Sequence, residues 1–363
     1  MLTKKQVKEI HEHLERAQNP IFFFDNDCDG LCSFLLLQHW LGRGKGVSIK
    51  GSASLEKEYF RKISELNADY VFILDKPKVS QEFFDKVNQI NLPIVWIDHH
   101  ALAQEIPDFV NYYNPLVKKK TKKINFLKEE SIAEPVTALC YQVTQKKDDL
   151  WLAVAGCLSD KFVPKFYSRF FKKYPELCIK SKSAFEILYN SEIGKLALIL
   201  NFALMDRTTN VVNMLWYLNS AKGPYDVLNE NKKNKVMHLR FNQIDKKCKK
   251  LMEKAKIIGE NCGKILFFQY GGDFSMSAEI ANRLSYLFPE KIICVAKIKE
   301  SKINISVRGE NIKEAVEKSV QLLEDATGGG HPNAAGAQIN IKDWEKFKET
   351  FEQLVIEKNY RKL

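Results

Sequence analysis

Three short apolar runs, each stopping at an aspartate, constrain this chain more than any other feature. Ile21-Phe22-Phe23-Phe24 runs into Asp25, residues 70–74 (YVFIL) into Asp75, and residues 93–97 (PIVWI) into Asp98. Continuous apolar runs of this length are the mark of strands buried on both faces. A helical pattern over 5–17 precedes them, and others over 31–40 and 80–89 separate them. Strands alternating with helices at this spacing predict a mostly parallel sheet covered on both sides. Ligands bind such sheets outside the carboxyl ends of the strands, which is where all three aspartates fall.

The rest of the chain divides by pattern. Residues 117–130 (VKKKTKKINFLKEE) read as a charged loop, and 132–158 carry two further helical patterns. The stretch from about 165 to 260 reads as mainly helical. A second alternating region begins near Cys262, with strands at 264–270, 291–297 and 302–307 and helices at 275–287 and 311–325. It continues through an expected loop at Gly328-Gly329-Gly330-His331 to a terminal strand and helix. The chain of 363 residues thus suits an α/β fold with a larger N-terminal parallel-sheet domain over 1–180, a helical connector over 181–260 and a smaller C-terminal α/β domain over 261–363.

Composition excludes several classes. With 45% hydrophobic residues there is ample material for a core, so collagen-like and wholly disordered chains are ruled out. The eight cysteines form no CxxC pair, which argues against a zinc ribbon or a small disulfide framework. The N-terminus is charged and amphipathic, unlike a signal peptide, and no apolar run approaches the roughly 20 residues of a membrane span. A cytoplasmic protein without membrane contact is expected. Lys and Arg number 56 against 45 Asp and Glu, a net charge of +11 that favours a polyanionic partner without proving one.

The chemistry-bearing residues cluster at the strand ends. Asp25-Asn26-Asp27-Cys28-Asp29-Gly30 lies between a buried strand and a helix, where alternate carboxylates can converge on a hard cation. A capped helix start would explain it too, since aspartate is favoured there. An EF-hand loop would not, because Leu36 stands where its distal glutamate belongs. Asp98-His99-His100 follows the third strand, and Asp160 follows the apolar stretch 152–158. Carboxylates with an imidazole suit manganese or a similar first-row ion, and two such ions about 3.5–4 Å apart can clamp a phosphate.

These motifs, DNDCDG, the isolated Asp75, WIDHH and the Asp160 of GCLSD, resemble the four motifs of the DHH phosphoesterase superfamily. GGGHPNAAG at 328–336 resembles the signature of its DHHA1 substrate-binding domain, and Asn114-Pro115 and Glu134-Pro135-Val136-Thr137 resemble a further family segment. The resemblance spans 20–165 and 262–345 and is nearest to archaeal RecJ-like single-strand exonucleases. It implies that Asp27, Asp29, Asp75, His99 and Asp160 are metal ligands, with Asp75 and His99 placed to bridge, and that Asp25 is a ligand or supports one. Asp98 is expected to orient the imidazoles or touch metal, and His100 to contact the scissile phosphate or help proton transfer. The cofactor implied is a pair of Mn2+ or Mg2+ ions.

In the second domain the three glycines Gly328, Gly329 and Gly330 would let backbone N–H groups approach a phosphate, with Arg308, His331 and Asn333 beside them. Lysines 118, 119, 120, 122 and 123 and a second group at 246, 247, 249 and 250 are either a solvated face or a track for a nucleic-acid backbone. Tyr112, Tyr113, Phe166, Tyr167, Phe170 and Phe171 read more readily as core than as base-stacking groups. His11, His13, His39 and His238 lie near no carboxylate cluster and read as ordinary surface or satisfied histidines, and Cys28 reads as a space-filler. The expected activity is exonucleolytic hydrolysis of single-stranded DNA or RNA in repair or replication. The alternatives are a phosphodiesterase acting on short oligonucleotides, cyclic dinucleotides or 3′-phosphoadenosine phosphate, and a scaffold in a replication or repair complex. A protein partner such as GINS or a helicase fits the first and last of these.

Overall fold

A computed structural model describes residues 1–51, 54–101, 104–120, 123–126 and 134–360. The chain forms two compact units, residues 1–241 and 242–363.

The first unit is built on five parallel strands: β1 (Pro20–Asp25), β2 (Lys45–Ile49), β3 (Tyr70–Leu74), β4 (Ile94–Ile97) and β5 (Val110–Tyr113), in the order β2-β1-β3-β4-β5. Strand residues alternate between the two faces, and in β1 this is visible ring by ring. Ile21 and Phe23 enter a core with Val71, Ile73, Trp96 and helix α3 (Gln81–Gln89), through Phe83, Phe84 and Val87. Phe22 and Phe24 point the other way, onto Phe34 of helix α2 (Cys28–Leu41), with ring centroids 5.5 and 5.3 Å apart. A strand buried on both faces has no position for a polar residue until it ends, and so the apolar run stops at Asp25.

Helix α1 (Lys4–Arg16) and helices α4 (Val136–Thr144) and α5 (Leu150–Ser159) belong to this unit, and α4 and α5 pack with α2. Every residue of α5 from Leu150 to Leu158 is buried. Helices Tyr167–Lys173, Ala184–Asn190, α6 (Glu192–Leu204) and α7 (Thr208–Leu218) follow within the same unit, and α6 packs on α5. Helix α8 (Lys235–Asn261) runs from the first unit into the second.

Strands β2 and β5 lie outside the three apolar runs because they are the sheet edges, where one side needs no apolar cover. The sequence pattern predicts a loop from residue 117 onward; two short strands pair antiparallel there instead, β6 (Val117–Lys120) with β7 (Lys123–Phe126). Lys122 lies outside the described residues, as do the side chains of Lys118, Lys119, Lys120 and Lys123. Among the described residues no single helix is long and apolar enough to cross a membrane.

The second unit holds β8 (Ile265–Gly271), helix α9 (Ser277–Leu287), β9 (Ile292–Lys299), β10 (Lys302–Arg308), helix α10 (Lys313–Gln321), β11 (Thr327–His331), β12 (Ala334–Asn340) and helix α11 (Trp344–Tyr360). Its sheet order is β8-β9-β10-β12-β11. The expected glycine loop is therefore the edge strand β11, paired antiparallel with β12 so that Gly329 faces Gly336. Glycine runs carry no apolar alternation, which is why the sequence pattern hid a strand here. Gly330 adopts φ +139°, and a Cβ there would stand 2.6 Å from the Ala334 carbonyl oxygen, so the tight hairpin requires glycine.

Candidate metal centre

Sheet register brings the acidic residues into line. Phe24 pairs with Leu74 and Leu74 with Ile97, so Asp25, Asp75 and Asp98 emerge together at the carboxyl ends of three adjacent strands. The chain leaves β1 toward β2 on one side and β3 on the other, which makes the β1–β3 crevice the switch point of the sheet. Asp75 adopts the left-handed conformation at φ +58°, uncommon for a residue other than glycine and typical of functional turns.

Each motif is fixed by backbone contacts. Asp27 caps α2 and accepts from the Gly30 N–H at 2.9 Å. A Cβ on Gly30 would lie 2.5 Å from the Asp25 carbonyl oxygen, so only glycine lets α2 start this close to β1. Asp29 is buried and accepts from the N–H groups of Val136 and Thr137 at 2.9 and 2.8 Å, at the start of α4. That explains the Glu-Pro-Val-Thr segment: it presents a helix N-terminus to a buried carboxylate. Asp98 Oδ1 lies 2.7 Å from His100 Nδ1, Tyr112 donates to Asp98 Oδ2, and Asn114 donates to the His100 carbonyl oxygen and to Tyr112. Asp98 thus holds the His100 imidazole from its Nδ1 side.

Four chain segments meet here. His99 Nε2 lies 3.3 Å from Asp75 Oδ1, and His99 Nδ1 lies 3.9 Å from Asp160 Oδ2, at the end of α5. His100 Nδ1 stands 3.9 Å from Asp75 Oδ1. Three triads hold ligand atoms within 4.8 Å of one another: Asp75/His99/His100, Asp29/His99/Asp160 and Asp25/Asp27/Asp75. Motifs that lie far apart along the chain, from Asp25 to Asp160, are one constellation in space.

Electrostatics mark the cluster as short of positive charge. Burial, then the charges of Asp25 and Asp29, push the Asp27 carboxyl up to about 7. Burial and Asp160 raise Asp29 to about 6. Burial and the neighbouring carboxylates lift Asp75 well above the usual range. Burial opposes charge on the imidazoles, yet the carboxylates win: His99 is raised by Asp160, Asp29 and Asp98, and His100 is raised to about 9 by Asp98 and Asp75. Asp75 Oδ1 is buried and accepts no hydrogen bond among the described residues. A divalent cation would satisfy that oxygen and neutralise the crowding, so the donor set of carboxylate and imidazole fits Mn2+ or Mg2+.

One member of the site escaped sequence reasoning. Lys76 is fully buried, and its Nζ lies 2.7 Å from Asp25 Oδ1. No signal in the sequence marks it, since a lysine after a strand end is ordinarily exposed. Tyr112, Tyr113, Tyr167 and Phe170 are buried, so for these the core reading holds. Cys28 is buried beside Cys32. His39, read as near no carboxylate motif, has a carboxylate partner: its Nδ1 lies 2.9 Å from Asp149 in a buried pair.

In the second unit Arg308 donates from Nε to Asn282 Oδ1 at 2.6 Å, and it pairs across the sheet with Ala334. Asn333 Oδ1 accepts from the Asn311 N–H and its carbonyl from the Gly309 N–H, so Asn333 fixes the loop. Arg308, Gly330, His331 and Asn333 share one end of the sheet, while Gly328 and Gly329 continue along its edge.

Residues 21–159 match the DHH family, N-terminal domain, and residues 262–357 match the DHHA1 domain. Among solved structures, a DHH domain described as a member of the s1p family of ribosomal proteins is 14% identical, with a TM-score of 0.65 over 97% of this chain and 90% of that one. RecJ from Thermus thermophilus in complex with Mn2+ is 16% identical, with a TM-score of 0.60 over 97% of this chain and 54% of that one. The chain therefore spans about half the length of that RecJ. CDC45 from Entamoeba histolytica is 10% identical, with a TM-score of 0.53 over 96% of this chain and 98% of that one. No curated protein matches in sequence.

Proposed function

The chain belongs to the DHH family and joins that domain to a DHHA1 domain, and from this premise we propose that it is a metal-dependent exonuclease acting on single-stranded DNA or RNA. The observation that carries the reading is the convergence of Asp27, Asp29, Asp75, His99 and Asp160 from four chain segments on one constellation. A family whose members are phosphoesterases, with this ligand set intact, favours an enzyme over a scaffold.

In this reading Asp27, Asp29, Asp75, His99 and Asp160 hold two Mn2+ or Mg2+ ions, with Asp25 at their edge. The ions, when bound, supply Lewis-acid charge for the phosphate oxygens and lower the pKa of water near neutrality. The protein's residues do the rest. Asp98 and Asn114 hold His100 in place, where its imidazole can contact a phosphate oxygen or help proton transfer to the leaving group. Asp29, clamped by two backbone N–H groups, cannot swing away as substrate enters. Residues 1–180 form the catalytic part and 181–260 a connector. Residues 261–363 bind substrate, with Arg308, Gly328, Gly329, Gly330, His331 and Asn333 facing phosphate. The net charge of +11 favours strands over dinucleotides. The fold likeness to CDC45 motivates the further proposal of a replication partner.

The test is hydrolysis of end-labelled single strands of about 20 nucleotides and of dinucleotides, with Mn2+, by the wild type, Asp75→Asn and His99→Ala. The reading expects strands to be shortened by the wild type and neither variant to act. Full activity in the variants would overturn the metal centre. Faster turnover of dinucleotides would replace the strand reading with the small-substrate one.

A further inference from the structure

We propose that Lys76 is a built-in cation of the centre: by holding Asp25 it makes the two ion positions unequal, so that one Mn2+ binds tightly and the second at least tenfold more weakly. This rests on the metal-centre reading above and concerns a residue outside the four motifs.

Lys76 Nζ lies 2.7 Å from Asp25 Oδ1, and the lysine side chain is 0% exposed. Asp25 belongs to the triad Asp25/Asp27/Asp75, so the ammonium and an ion there compete for the same carboxylate. The lysine has no route out. It follows Asp75, whose left-handed backbone turns the chain back, and its own carbonyl oxygen accepts from the buried Trp96 indole N–H at 3.0 Å. An ion that draws on Asp25 must compete with this buried ion pair, which is costly to disturb. The ammonium charge also opposes a divalent ion a few ångströms away in a medium that screens poorly.

The Asp29/His99/Asp160 triad is built differently. Asp29 is held by the backbone N–H groups of Val136 and Thr137, which fix its oxygens without bringing a full positive charge. That triad is therefore the tight position, and the triad shared with Lys76 is the weak one.

The experiment is a Mn2+ titration of the full chain at pH 8, followed by the electron paramagnetic resonance of unbound Mn2+, which counts ions and their affinities without any turnover. The wild type is expected to take one ion tightly and a second at least tenfold more weakly. Lys76→Met should tighten the second ion at least tenfold and leave the first within threefold. Adding Asp25→Asn to Lys76→Met should abolish that gain, because Asp25 is the ligand the substitution releases. Lys76→Gln serves the same comparison if Lys76→Met does not fold. Two equal sites in the wild type, or an unchanged second affinity in both Lys76 variants, would overturn the inference and leave the metal centre standing. A wild type that binds no Mn2+ would overturn both.

Discussion

Gly156→Ala tests how the α2–α4–α5 contact sets the position of Asp160. A Cβ at 156 would lie 2.2 Å from Thr137 Oγ1, 2.8 Å from its Cγ2 and 2.9 Å from Cys32 Cβ. Thr137 is fully buried, and its hydroxyl donates to the Asp29 carbonyl oxygen at 3.0 Å, so it cannot yield without breaking that bond. Overpacking of this kind costs about 1–3 kcal/mol, and the lost hydrogen bond about 1 kcal/mol more. Alanine returns about 1 kcal/mol of helix propensity. The balance is a loss of about 2 kcal/mol, which for a cooperative unit of this size lowers Tm by about 4–8 °C. Calorimetry of the metal-free protein measures it. Thr137→Ala in the same chain removes the clashing atoms, so the double variant should be more stable than the two single losses added together predict. A Gly156→Ala protein melting within about 1 °C of wild type, or a strictly additive double variant, would refute the packing argument.

Two further outcomes follow from the site. The carboxyls of Asp27, Asp29 and Asp75 and the imidazoles of His99 and His100 are all raised in the folded chain. The folded state therefore holds more protons than the unfolded one from about pH 4 up to about pH 9, and stability falls as pH rises through that window. Metal-free protein should melt higher at pH 5.5 than at pH 8.5, and saturating Mn2+ should shrink or reverse the difference; a metal-free Tm that climbs with pH would contradict the electrostatics. In the second unit Gly330→Ala forces a Cβ to 2.6 Å from the Ala334 carbonyl at a backbone angle that disfavours any side chain. It should lower the stability of residues 242–363 and weaken binding of a fluorescent single strand, and an unchanged titration would remove β11 from the substrate surface.

Much of the fold is legible in the residues themselves. Both faces of the first sheet are buried, so β1, β3 and β4 had to be apolar throughout, and an aspartate at the end of each could only mark the carboxyl edge. The strands that stayed hidden lack that constraint: β2 and β5 are edges, the lysine-rich β6–β7 pair shows no alternation, and β11 is almost all glycine. The acidic and imidazole residues of the cluster were legible because each stands in a short motif at a strand or helix end. Lys76 was not, since nothing in a sequence distinguishes a buried lysine from the many exposed ones; only the distance to Asp25 does. The bond that Asn333 makes to the Asn311 N–H was equally hidden, since it joins loops 22 residues apart.

The most direct test of the central claim is anomalous diffraction at the manganese edge from crystals of the full chain soaked in Mn2+. The account predicts a strong peak among Asp29, His99 and Asp160, a weaker one beside Asp27 and Asp75, and loss of both in Asp75→Asn. Crystals showing no manganese between these side chains, or manganese only at other carboxylates, would contradict it.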